Sequence, residues 1–188
     1  MALLWKKNFY THGRESHRYV EDLIRNGKEI CIVSPYIDAY YASFLRKNAF
    51  RKKIYILSSS LDPTAKKILQ AEGFTLGVFV FAALVAIMDV LFLYARLMNI
   101  ELLLASVGIV LLRIAIFRIF DKNMIRIRIP HNFVHAKIYV SGKMAVSGSA
   151  NLTYRGMHSN IEHIEVTRDR SAVERLRKEF WELWDRSR

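Results

Sequence analysis

Apolar and polar positions along the chain recur with two periods, and the period assigns each segment. From Glu15 to Asn26 the apolar residues Tyr19, Val20, Leu23 and Ile24 fall at helical spacing, and Gly27 supplies a stop. Glu29-Ile-Cys-Ile-Val33 is a short apolar run closed by Ser34-Pro35, which predicts a buried strand. Residues 38–49 are helical in pattern, and Lys53 to Leu57 repeats the strand signal before Ser58-Ser59-Ser60 breaks it. Asp62-Pro63 combines an N-cap with proline at the first helical position and opens a helix running to Gly73. Further on, Met124 to Ile129 alternates as a strand, and Val134–Ser141 and Met144–Ser147 flank a hairpin turn at Gly142-Lys143. Ile161 to Val166 predicts one more strand. Ser171 to Trp184 closes the chain as an amphipathic helix with Val173, Leu176, Phe180, Leu183 and Trp184 on one face. Strands alternating with helices imply an α/β layered sheet.

Residues 75–120 interrupt this pattern. Two apolar runs, 76–95 and 100–120, are separated by Arg96-Leu97-Met98-Asn99, and each has about the 20 residues that a helix needs to cross roughly 30 Å of hydrocarbon. The expectation is a two-helix transmembrane hairpin at 75–120 inserted into a discontinuous domain of 1–74 and 121–188. Lys66, Lys67, Lys122, Arg126 and Arg128 near its ends predict a multi-pass protein of the cell membrane with the domain on the cytoplasmic side and the lipid bilayer as a partner. The start, MALLWKKN, is too short an apolar run for a secretory signal. Folding the hairpin about residues 97 and 98 brings Asp89 level with Ser106 and leaves Arg113 about 10 Å away along the axis.

Composition then changes the picture. The chain holds 29 Lys+Arg and 17 Asp+Glu among 188 residues, and the insert takes three of the basic and two of the acidic ones. The other 142 residues therefore carry 26 and 15, a net charge of +11. The apolar content, 52% of residues, excludes disorder as the main state, and the single Cys31 excludes a disulfide scaffold. A charge of +11 points to a polyanion or to anionic headgroups as partner.

Chemically useful groups concentrate in one region: His135-Ala-Lys137, then Gly148-Ser149-Ala-Asn151, then Asn160-Ile-Glu162. On a strand, residues two apart share a face, so His135 and Lys137 are presented together. Histidine offers a nitrogen nucleophile or acid near neutral pH, lysine a positive charge, and serine and asparagine hydrogen bonds to oxygen. Glu162 could hold one imidazole nitrogen and leave the other free, with Glu165 a rival on the opposite strand face. The set suits a phosphate ester.

HAKIYVSGKMAVSGSAN resembles the HxK…GSxN motif of the phospholipase D superfamily, and Ser34-Pro35-Tyr36, Asn151-Leu-Thr153 and Asn160-x-Glu162 are similar to its accompanying segments. The resemblance covers the chain outside the insert. Gly142 stands where the usual motif has an aspartate, and the stretch from there to Gly148 is one residue shorter. The resemblance implies a phospholipase D-like mixed sheet flanked by helices. It also implies a metal-independent phosphodiesterase that needs no cofactor and works through a phosphohistidine. With one motif per chain, two copies meet in a homodimer: His135 of one copy attacks phosphorus and His135 of the other protonates the leaving group. Lys137 and Asn151 hold non-bridging oxygens with Ser149 assisting, and Glu162 orients His135.

The substrate classes open to such a site are nucleic acid and phospholipid, with a weakly active membrane scaffold as a third alternative. The helix from Pro63 returns to the sheet edge where strand 53–57 began, so the hairpin leaves about 20 Å from the catalytic edge at 3.3 Å per residue. A two-fold axis along the membrane normal then turns the site to water. Nucleic acid is slightly favoured on that ground and on the charge, although no clear set of aromatic residues for stacking bases stands out in the sequence.

Overall fold

The computed structural model describes residues 8–13, 16–49, 51–70, 76–94, 100–122 and 125–187. The chain runs through β1 (Asn8–Gly13), α1 (Ser16–Asn26), β2 (Glu29–Val33), β3 (Tyr36–Ile37), α2 (Ala39–Asn48), β4 (Lys53–Leu57), β5 (Ser60–Leu61) and α3 (Pro63–Gln70). It continues through α4 (Leu76–Tyr94), α5 (Ile100–Lys122), β6 (Ile125–Arg128), β7 (Ile138–Ser141), β8 (Met144–Gly148), a π-helical turn at Arg155–Ser159, β9 (Glu162–Thr167) and α6 (Arg170–Arg186). Contacts divide it into two units, residues 1–71 with 124–188 and residues 72–123.

The first unit is built on a seven-stranded mixed sheet of order β1-β9-β8-β7-β2-β4-β6, with β3 and β5 as a separate two-stranded pair. β2, β4 and β6 are parallel, whereas β7, β8, β9 and β1 follow by antiparallel pairing. Strand alternation sends successive side chains to opposite faces. Ile30, Ile32, Ile54, Ile56, Tyr139 and Val146 form one core with α1, α2 and α3, and Cys31, Val33, Leu57, Val140 and Ala145 form the other with α6. Both faces are thus covered, which explains why β2 and β4 read as unbroken apolar runs and not as alternating ones. Burial pushes the Cys31 thiol up to about 12, with the Glu29 carboxylate adding to the effect.

The first helix stops at Gly27 and the third starts at Asp62 as the sequence signals, while the expected end of the third at Gly73 lies outside the described residues. Asp38 caps α2 by accepting from the Tyr41 amide at 3.0 Å, and Asp62 caps α3 through Thr64 and Ala65. Gly27 ends α1 with its amide on the Leu23 carbonyl at 2.9 Å. The strand expected from Val134 begins only at Ile138. Val134 is tied instead to the β4–β5 connection, its amide donating to Ser59 Oγ at 2.8 Å and Ser59 Oγ donating back to its carbonyl at 3.2 Å.

The second unit consists of α4 and α5. Ser106 Oγ donates to Asp89 Oδ2 at 2.7 Å, and the Arg113 guanidinium lies 4.2 Å from the Phe81 ring centre. Apolar side chains such as Leu84, Val90, Leu104 and Leu111 are exposed on these helices. Among the described residues, however, no helix is long and apolar enough to cross a membrane. The two helices carry Asp89, Glu101 and Arg113, charges that are costly in hydrocarbon. The expected transmembrane hairpin is thereby overturned, and with it the multi-pass membrane location and the bilayer as partner.

Candidate active site

Topology alone gathers the candidate residues at one edge of the sheet. Val33, at the C-terminal end of β2, pairs with Ile138 at the start of antiparallel β7, so His135 and Lys137 lie just beyond that end. Ile138 pairs with Ser147 and Gly148 with Ile164, which brings Ser149 to Asn151 and the start of β9 to the same edge. Open α/β sheets place ligands outside the carboxyl ends of their parallel strands, and this edge is that one.

His135 is exposed, whereas Lys137 is only 6% exposed. The Lys137 ammonium lies 3.2 Å from Nδ1 and 3.1 Å from Nε2 of His135 and donates to the His135 carbonyl at 2.8 Å. Burial lowers the Lys137 pKa from the ordinary lysine value, and the Glu162 carboxylate pulls it partly back. If its charge holds substrate oxygens, activity falls as rising pH removes the proton. The alkaline limb of a pH profile of kcat/KM is therefore expected below the ordinary lysine range, and Lys137→Arg should move it upward, because a guanidinium keeps its proton.

Glu162 is not placed against the imidazole that it was expected to hold. Its Oε2 accepts from Ser149 Oγ and its Oε1 from Asn160 Nδ2 at 3.0 Å. Neither oxygen is bonded to His135 in the single chain. Ser149 is further fixed by the His163 amide, which donates to its Oγ at 3.0 Å. Asn151 Oδ1 is buried and has no hydrogen-bond partner among the described residues. A buried carboxamide end costs about 1–3 kcal/mol when unpaired. The motif's three parts are thus brought to one edge, with Glu162 one step removed from the imidazole.

The loop carrying Asn151 is held from β2. Ser34 Oγ accepts from the Leu152 amide at 2.9 Å and donates to the Tyr36 carbonyl at 2.8 Å, and Asp38 Oδ2 accepts from the Tyr154 amide at 2.6 Å. Below it, His158 stacks between His17 and Tyr154 at 4.2 and 4.7 Å, with the Tyr41 hydroxyl 3.3 Å from its Nε2. Burial there, with His17 nearby, lowers the His158 pKa. His131 and His163 are exposed. Gly142, at φ +55, occupies the β7–β8 turn, one strand length from His135.

Comparison with known proteins bears on the fold. Residues 94–184 match the family model described as "Cardiolipin synthase, PLD-like domain". The fold is similar to that of NucT from Helicobacter pylori, at 12% identity and a TM-score of 0.59 over 95% of this chain and 96% of that one. It is similar to that of Nuc from Salmonella typhimurium, a phospholipase D family member, at 13% identity and a TM-score of 0.55 over 96% and 97%. Phosphatidylserine synthase from Haemophilus influenzae shares the fold at 10% identity and a TM-score of 0.51, over 95% of this chain and 36% of that one. No curated protein matches the sequence. The fold is therefore mixed α/β and similar to that of a phospholipase D family member. The family model matches just under half of the chain.

Proposed function

We propose that the protein is a phosphodiesterase that works without a metal through a phosphohistidine, at a site shared between two copies of the chain. The observation that carries this reading is the exposed His135 imidazole seated against the buried Lys137 ammonium. A nitrogen lone pair of His135 attacks phosphorus and forms the N–P bond as the P–O bond to the leaving alcohol breaks. The partner's His135 gives that alkoxide its proton. Water then loses a proton to the partner's His135 and displaces the first imidazole, which restores both side chains. Lys137 and Asn151 hold the non-bridging oxygens as charge builds on them. Ser149 assists, and Glu162 acts on the site through it. In this reading residues 1–74 and 121–188 form the catalytic domain, and 75–120 is a helical insertion.

Nucleic acid is the favoured substrate, because the catalytic domain carries +11 and a polyanion gains most from that field. A phospholipid is the second reading, supported by the description of the matching family model. The full chain, with a chelator present, is offered single-stranded DNA, RNA and phosphatidylglycerol vesicles. Cleavage of the nucleic acids, undiminished by the chelator and lost in His135→Ala, is expected. Cleavage of lipid alone would replace the first reading by the second, and an absolute metal requirement would remove the phosphohistidine.

A further inference from the structure

Two exposed aromatic rings stand beside His135. Phe133 is 58% exposed and its ring centre is 6.2 Å from that of His135; Tyr36 is 47% exposed and lies 6.0 Å from Phe133. They come from segments 97 positions apart in the chain, and neither packs into the two cores. Exposed side chains of this size usually sit on pliable loops. These do not: the Tyr36 carbonyl accepts from buried Ser34, the Pro35 carbonyl accepts from the Ser60 amide at 2.8 Å, and Val134 next to Phe133 is clamped by Ser59. The backbone beneath each ring is fixed while the ring itself stays wet.

We propose that Phe133 and Tyr36 form a platform on which bases of a single-stranded nucleic acid stack as its phosphate reaches His135. This rests on the phosphodiesterase reading and names its substrate class. The geometry selects the mode. The ring centres are too close, and the planes too tilted, at 53° and 34°, for a base to be sandwiched between neighbours. Each ring can therefore take a base only on a face turned away from its neighbour, with Phe133 next to the imidazole. Bases in a duplex have their faces covered by their neighbours, so only an unpaired strand can use such faces. Base–aromatic stacking tolerates any sequence, since every base has a π-face. A charge of +11 on the same domain supplies the attraction for the phosphates.

The test compares a thymidine oligonucleotide with one of equal length and charge in which abasic sugars replace the nucleosides, using the full chain. Wild type is expected to bind and cleave the base-bearing strand better. Phe133→Ala and Tyr36→Ala should each raise KM for it by about 5- to 150-fold with kcat nearly unchanged, and leave the abasic strand unaffected. Phe133→Trp should restore the preference, and Phe133→Leu, which keeps apolar area without a π-face, should not. Because both rings are exposed, thermal melts of the variants should match wild type.

The failures are separable. Cleavage of both strands alike by wild type overturns the platform and leaves the phosphodiesterase standing. Cleavage of neither overturns nucleic acid as the substrate, and the platform with it. If Phe133→Ala instead abolishes sedimentation with phosphatidylglycerol vesicles, the rings meet lipid. If it converts a dimer to a monomer in analytical ultracentrifugation, they meet a second copy. Either result overturns the assignment to bases.

Discussion

Coexpression of equal amounts of wild-type and His135→Ala chains is expected to yield about one quarter of wild-type activity, not one half, because random pairing into two-fold dimers makes only a quarter of them wild type on both sides. The variant alone should lose about 10⁶-fold in kcat, the order of loss seen when a covalent nucleophile is removed. One site at a two-fold axis needs both imidazoles, one to attack and one to protonate, so a dimer with a single His135 fails at the first step or stalls at the second. Differentially tagged chains let the mixed dimer be isolated and assayed directly. Half-activity in the mixture would mean that each chain carries a complete site, and the proposed sharing would fall. His135 is exposed, so its truncation should leave the melting temperature nearly unchanged, which separates lost chemistry from lost structure.

Gly148→Ala should produce the largest loss of stability of any single methyl added to this chain's motif. Gly148 adopts φ +152, where side chains are rarely tolerated, and a Cβ there would lie 2.2 Å from the His163 carbonyl oxygen and 2.8 Å from Ile164 Cα. Both obstacles are backbone of the neighbouring strand, so β8 and β9 must part. A cost of about 3–5 kcal/mol is expected by chemical denaturation, a large share of the roughly 5–15 kcal/mol that holds an ordinary domain. The separation would also break the bonds that Ser149 makes with His163, so activity should fall even where the protein remains folded. Gly142→Ala is the control. It shares positive φ, at +55, but its Cβ meets nothing within 4 Å, so only about 1–2 kcal/mol of backbone strain is expected and the site should survive.

Gly142 also shows how far a one-dimensional reading reaches. Its place in a tight turn was legible from the hairpin pattern, and so was the altered spacing to Gly148. Glu162 shows the limit. Its role was argued from the chemistry of imidazoles, but the pairing of Gly148 with Ile164 sets Glu162 beside Ser149, and the carboxylate is taken up there and by Asn160. The strand expected to present His135 and Lys137 is likewise an extended segment pinned by Ser59, a residue 75 positions earlier that no local pattern could nominate. The two runs at 76–95 and 100–120 read by length and apolarity as membrane spans, a reading the described helices do not support.

By itself the sequence determined the local elements and the chemistry available: buried runs that must be strands, a cap at Asp62, a turn at Gly142, and a histidine, a lysine, a serine and an asparagine at revealing spacings. These follow from side-chain periodicity and backbone preference, which act over a few residues. It could not determine β1, whose partner β9 lies some 150 residues away, nor the two-residue pairing of β3 with β5. Nor did it show a set of aromatics for stacking, because Tyr36 and Phe133 become neighbours only when β2, β4 and the segment before β7 close on one edge. Contacts between distant segments depend on the whole sheet's order, and only the tertiary structure decides that.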